Sequence, residues 1–172
     1  FWGEVLASYR LASTQMAPVR LALQAPAAAL HPGDTISVPL MIEAREAVSH
    51  LPMTLRYDPS LLSVVSVTPG GFFGGPERST LLYDDSTPGR LTFGVSRLGR
   101  EPGVSGRGEI ASITFRARRP GGATVRFQAV KALDGDLNPL AGIIAPPLTL
   151  RIERSRSQPP RRRSVGEGNS TA

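Results

Sequence analysis

Short segments in which apolar and polar residues alternate recur along most of the chain, and this alternation is what most constrains the fold. Successive side chains of a β-strand point to opposite faces, so each segment predicts a strand with one buried face. Clusters of turn-forming residues separate the segments. Alternation occupies residues 19–24, 36–43, 51–57, 91–96, 113–118, 125–130 and 148–153, and turn clusters occupy 31–34, 68–71, 84–89, 100–108, 119–122 and 134–139.

Eight or nine short strands with regular turns predict an all-β fold, an antiparallel sandwich or jelly roll. We expect one core spanning residues 19–153. Residues 1–18 are predicted to form a linker or a short helix. Residues 154–172 are polar and rich in Arg, without apolar periodicity, so we predict a disordered basic tail.

The positive charge is concentrated at the C-terminal end. The net charge is +6, and residues 151–172 hold six Arg and two Glu, so the predicted core is nearly neutral. The Arg run at 161–163 lacks interleaved aromatic residues and a folded groove, so we expect no specific nucleic-acid partner. A basic tail that touches acidic surfaces is the alternative.

Several classes of protein are disfavoured by composition. The chain has no cysteine, which excludes disulfides and Cys-ligated metal sites. No segment approaches the roughly 20 apolar residues that span a membrane, and no signal peptide is visible. Because the chain starts at Phe1, we expect it to be a fragment or a processed product.

Candidate catalytic residues are few. Asp58 follows a strand and precedes Pro59, a combination typical of a turn in which the carboxylate accepts backbone N–H groups. The adjacent Asp84 and Asp85 lie in a predicted hairpin loop. With no nucleophile–base pair and no phosphate-binding or dinucleotide-binding loop, we expect no catalytic residues, no cofactor and no enzyme activity.

One segment resembles the start of a calcium loop. Asp134, Asp136 and Asn138 have the required spacing, but Pro139 and Ala145 stand where such a loop needs Gly and Glu. A β-turn is therefore preferred, with calcium as the alternative. Neither histidine, His31 or His50, has a partner at metal-ligand spacing, so we expect no metal elsewhere.

Four segments, taken in order, resemble the bacterial cohesin domain. They are HPGDTISVPLMIE, LPMTLRYDPSLLSVVSVTPGGFF, GRLTFGVSRLG and GRGEIASITFRAR. The resemblance covers about residues 19–153. It implies a nine-stranded jelly-roll sandwich, distantly related to some carbohydrate-binding modules, that holds a dockerin partner on a sheet face.

The resemblance also implies which residues contact the partner. They lie on the strand before Tyr57-Asp58-Pro59 and on the following strand pair, and they are His50, Pro52, Thr54, Arg56, Tyr83, Thr92, Ser96 and Arg97. The family often has Asn and Asp at the positions of His50 and Pro52, and an acid near Arg97. The charge and hydrogen-bonding pattern of this face therefore differs from the family pattern.

We accordingly expect a non-catalytic protein-binding module of the bacterial envelope or exterior, with a dockerin-like or other protein partner. Two alternatives stay open. One is carbohydrate binding linked to polysaccharide degradation, with Phe72 and Phe73 in a Gly-rich loop contacting a glycan or partner. The other is a structural domain of a secretion-associated, secretin-like envelope protein.

Overall fold

Two five-stranded sheets face each other in a computed structural model, which describes residues 17–155. One sheet has the order β4-β7-β2-β1-β9 and the other β10-β8-β3-β6-β5. The strands are β1 Val19–Leu23, β2 Thr35–Val48, β3 His50–Arg56, β4 Leu62–Pro69, β5 Ser79–Asp84, β6 Arg90–Arg97, β7 Val104–Ala117, β8 Gly121–Val130, β9 Ile143–Ile144 and β10 Leu148–Ile152.

The described residues form ten strands rather than the nine that were expected. The additional strand, β9, has two residues, which is too short to show alternation, and it pairs with β1 in parallel rather than antiparallel orientation. Nearly all of the predicted N-terminal linker or helix (residues 1–18) and of the predicted tail (residues 154–172) lies outside the described residues. Within residues 17–155, no helix is long and apolar enough to cross a membrane.

Alternation places the core as predicted. The inward side chains of β3 and β6, among them Leu55 and Phe93, are buried against those of β2 and β7, such as Leu40 and Phe115. The rings of Tyr57 and Phe115 pack edge to face, with their centroids 5.7 Å apart. One continuous apolar cluster joins the two sheets.

The predicted turn at residues 100–108 is partly wrong, because β7 begins at Val104 and continues to Ala117. Its first residues pair with the end of β2, where the register shifts between Ala44 and Val48. The extra residues on β2 are absorbed as a bulge, which bends a strand and increases its twist. A Gly-rich sequence that looks like a turn thus extends the strand.

A glycine is required where the chain leaves β4. A Cβ atom on Gly70 would lie 2.2 Å from the carbonyl oxygen of Glu109, because the segment runs directly against β7. Two hydrogen bonds fix this approach: Gly70 N–H donates to Ile110 and Phe72 N–H to Glu109, at 2.8 and 2.9 Å. The backbone must move if Gly70 is replaced.

We predict that Gly70→Ala lowers the free energy of unfolding by about 2 kcal/mol, since the added methyl group forces a backbone shift in a packed region. Gly71→Ala is the matched control, because a Cβ atom at Gly71 meets nothing within 4 Å. Urea unfolding followed by circular dichroism measures both. Equal stability of the two variants would contradict the close approach.

Candidate partner-binding face

The outer face of β8, β3, β6 and β5, called here the 8-3-6-5 face, brings together most of the predicted contact residues. His50 lies opposite Ser96, and Thr54 lies opposite Thr92, with the two threonine hydroxyl oxygens 3.3 Å apart. The six predicted residues that share this face are His50, Pro52, Thr54, Arg56, Thr92 and Ser96.

Arg97 does not belong to this face, which corrects the prediction. It continues the inward phase of Leu91, Phe93 and Val95, and its side chain is 7% exposed. Its guanidinium donates to the carbonyl oxygens of Phe73 and Pro102 and to the Glu101 carboxylate. Arg97 therefore anchors two loops to the end of β6.

Tyr83 is also on the other side of its strand. It pairs with inward Phe93 and lies at the sheet edge, where 44% of it is exposed. The β5 residues that share the 8-3-6-5 face are Thr80, Leu82 and Asp84, and of these Leu82, which pairs with Gly94, is 73% exposed. Sequence reasoning missed Leu82 because both residues of the Leu81–Leu82 pair are apolar, so β5 has no alternation to assign its faces.

Phe72 and Phe73 are core residues rather than an exposed glycan-contact loop. They are 9% and 1% exposed, and their rings meet edge to face with centroids 5.0 Å apart. Phe72 lies over Gly108, where an added Cβ atom would come within 3.1 Å of the Phe72 ring. The missing side chain at Gly108 makes the space that buries Phe72, and the aromatic platform expected for sugar binding is absent here.

Asp58 forms the turn predicted from its sequence setting. Its Oδ1 accepts hydrogen bonds from the Ser60 hydroxyl and the Ser60 backbone N–H, at 2.6 and 2.8 Å. These two bonds hold the pKa of Asp58 below its ordinary value. Asp84 is similar, with Oδ1 accepting the Ser86 N–H at 2.9 Å and with its pKa also lowered by Ser86.

The calcium alternative gains no support from the geometry of residues 134–138. Oδ1 of Asp134 accepts the backbone N–H groups of Asp136 and Asn138, and Oδ2 accepts the Asn138 side-chain amide. Both carboxylate oxygens therefore close the turn. Among residues 17–155, no group of three or more His, Cys, Asp and Glu side chains is arranged to hold a metal ion.

A polar groove of about 780 Å³ opens at the Arg56 end of the 8-3-6-5 face. Arg56 Nε donates to the Gln128 side-chain oxygen at 2.6 Å, and Arg126 and Thr124 line the same groove. Nothing in the sequence singled out Arg126, which pairs with Arg56 from β8, or Arg90, which pairs with Arg56 from β6. Their common position follows from strand register, which the sequence does not display.

Comparison with known proteins identifies the family. The cohesin domain model matches residues 21–142, which is more than half of the chain. The chain belongs to the cohesin family. A search of curated protein sequences found no match to this cohesin.

Solved structures agree on the fold of this cohesin. A non-cellulosomal cohesin from the archaeon Archaeoglobus fulgidus is 24% identical with a TM-score of 0.63, over 78% of this chain and 91% of that one. A type I cohesin–dockerin complex from Clostridium thermocellum is 18% identical with a TM-score of 0.67, over 80% and 94%. A cohesin module of a Clostridium perfringens family 33 glycoside hydrolase is 11% identical with a TM-score of 0.67, over 81% and 100%.

We predict that Arg97→Ala lowers the free energy of unfolding by about 3 kcal/mol, because it leaves a carboxylate and two carbonyl groups without their charged donor. Arg100→Ala, at an exposed residue of the same loop, should change it by less than about 0.5 kcal/mol. Urea denaturation compares them. Similar stability of the two variants would show that the Arg97 anchor contributes little.

We predict a pH-dependent role for the Asp58 turn. Because the pKa of Asp58 is lowered in the folded state, its contribution to stability is present above the ordinary Asp pKa of about 3.9 and is lost as pH falls through the folded value. The difference in unfolding free energy between the wild type and Asp58→Ala should therefore shrink on acidification below about pH 4.

Asp58→Asn is the control for this prediction, since the amide oxygen still accepts hydrogen bonds but does not titrate in this range. Denaturant unfolding at a series of pH values gives the comparison. A wild type–Ala difference that stays constant from neutral to acidic pH would contradict the role of the ionised carboxylate.

Proposed function

We propose that this cohesin domain is a non-catalytic module that binds a protein partner through its 8-3-6-5 face. The observation that carries the proposal is the position of Leu82. It is exposed, and it lies beside the outward residues of β3 and β6, which stand directly opposite one another. A single exposed Leu is common on protein surfaces, but Leu82 is the most exposed large apolar side chain of residues 17–155 and stands among polar side chains on a regular sheet face. An apolar contact surrounded by polar residues is the arrangement found in protein interfaces. Membership of the cohesin family supports the same function.

The centre of the face suits close approach of a partner. Pro52 and Gly94 lie opposite each other there, and Gly94 has no side chain above the sheet. Thr54 and Thr92 hold each other in place through their hydroxyl groups. Side chains that are short or already ordered lose little conformational freedom on binding, which favours affinity.

A dockerin is the partner class we propose first. The Clostridium thermocellum structure is of a cohesin–dockerin complex, and its cohesin has the fold found here. Another similar structure, 19% identical with a TM-score of 0.65, is also a complex of a cohesin with a dockerin. As part of this proposal, the domain acts at the cell exterior or envelope of a bacterium, which cell fractionation with a specific antibody would test.

We predict that Leu82→Thr weakens partner binding at least tenfold, about 1.4 kcal/mol, because it removes an apolar anchor and keeps a residue that suits strands. The matched control is Val65→Thr, which changes another exposed apolar residue, 47% exposed, on β4 of the opposite sheet. Its affinity should equal that of the wild type.

Titration calorimetry with a panel of purified dockerin modules, and with any secreted protein of the source organism captured by the immobilised domain, measures these affinities. Circular dichroism verifies that both variants fold. If Val65→Thr reduces binding as much as Leu82→Thr does, or if neither reduces it, the assignment of the 8-3-6-5 face is wrong.

A further inference from the structure

Three arginines form one row across the 8-3-6-5 face. Arg126 of β8 lies directly opposite Arg56 of β3, and Arg56 lies directly opposite Arg90 of β6. Adjacent strands are about 4.8 Å apart, so the outer two Cα atoms are roughly 10 Å apart. We call these three residues the arginine row.

Such a row is unfavourable in the isolated domain. Like charges that lie directly opposite on neighbouring strands destabilise a sheet. No ion pair found within residues 17–155 includes Arg56, Arg90 or Arg126. Arg56 instead donates to a neutral partner, the Gln128 side-chain oxygen.

Asp58 and Asp84 lie near the row but are engaged in turns. Asp85 acts electrostatically on Tyr57 of the groove, and no ion pair within the described part of the chain joins it to the row. Oδ1 of Asp58, which lines the groove beside Arg56, accepts two bonds from Ser60. Oδ1 of Asp84 accepts the Ser86 N–H, and Arg90 is the smallest of the influences that lower the pKa of Asp84. The arginine row therefore carries positive charge that these carboxylates do not pair closely.

The chemistry of the row selects the kind of ligand. A guanidinium presents a planar fork of N–H donors that matches a carboxylate with two parallel hydrogen bonds. The groove at the row adds the hydroxyl of Thr124 and the amide of Gln128, while Gly122 leaves room for a close contact. A ligand that carries several carboxylates along a chain can pair with the guanidinium groups and also place polar atoms in the groove.

An acidic polypeptide fits better than an acidic polysaccharide. Sugar rings are usually held by open aromatic faces, whereas the aromatic residue of this groove, Tyr57, is partly buried and packs against Phe115. The row is also continuous with the Thr54–Thr92 pair and, beyond it, with Leu82. One protein surface could therefore contact Leu82 with an apolar residue and the row with acids.

We propose that the arginine row binds an Asp- or Glu-rich segment of the protein partner. This inference rests on the proposed function and specifies its partner: the segment places at least two carboxylates at the end of the 8-3-6-5 face. In an extended segment, residues i and i+2 are about 6.8 Å apart, which allows two of them to reach two arginines.

The test compares two triple variants with the same loss of charge. Arg56→Gln, Arg90→Gln and Arg126→Gln remove the row. Arg100→Gln, Arg116→Gln and Arg119→Gln remove three exposed arginines from other parts of the surface. The probe is a fluorescein-labelled hexaglutamate peptide, with hexalysine as a negative control, and fluorescence anisotropy gives the dissociation constants.

We expect the row variant to lose at least tenfold in affinity for hexaglutamate and the control variant to lose less than threefold. Binding to the wild type should weaken between 50 and 300 mM NaCl, because exposed charges are screened by salt. Equal losses in the two triple variants would overturn the proposal in favour of general charge attraction. Failure of the wild type to bind hexaglutamate at low salt would also overturn it.

A parallel titration with polygalacturonate and heparin tests the polysaccharide alternative. If either binds through the row while hexaglutamate does not, the acidic-polypeptide proposal is wrong. The row variant should unfold at the same temperature as the wild type or higher, because charge repulsion has been removed. Arg90→Gln alone, which keeps the Arg56–Gln128 bond, repeats the binding test if the triple variant does not fold.

Leu82→Thr separates this inference from the proposed function. It should weaken binding of the whole partner and leave hexaglutamate binding unchanged. If Leu82→Thr weakens partner binding and the row variant does not, the partner binds the 8-3-6-5 face, and the proposal that the arginine row recognises an acidic segment is wrong. If neither variant affects the partner, the proposed face itself fails.

Discussion

The long antiparallel pairing of β2 with β7 is the interaction on which the rest of the sandwich depends. β4 attaches to the outer side of β7, and β1 attaches to the outer side of β2. The inward side chains of this pair, including Leu40, Ile113 and Phe115, form one wall of the core. The opposite wall comes from β3 and β6, whose outward residues form the 8-3-6-5 face. Core and face are therefore two sides of the same strands.

Alternation was sufficient to predict most of this arrangement. In β3 the phase set by Leu51, Met53 and Leu55 places the predicted outward residues correctly. The same rule, applied strictly to β6, assigns Arg97 to the inside, where it lies. The family resemblance had placed Arg97 on the face, so here the local pattern predicted more than the analogy did. Charge alone does not exclude a residue from the interior when carbonyl groups and a carboxylate surround it.

Other features needed pairing information that a single sequence does not contain. Leu82, and not Tyr83 as predicted, lies on the 8-3-6-5 face. Because β5 is an edge strand with little alternation, only its register with β6 shows which side chains point outward. Phe72 is buried because Gly108, distant in sequence, leaves space for it. The arginine row likewise combines residues from three separate strands. In each case the decisive contact is between residues that no spacing rule connects.

The two ends of the sheet that carries the 8-3-6-5 face use arginine differently. At one end Arg97 is enclosed and fully engaged with loop carbonyl groups, and at the other the arginine row lies open beside a groove. The electrostatic potential of the face therefore changes along the strand direction rather than being uniform. Such a gradient gives an incoming molecule a preferred orientation before short-range contacts form. A ligand with one acidic end would be aligned with the strands during its approach, and its reversed orientation would be disfavoured.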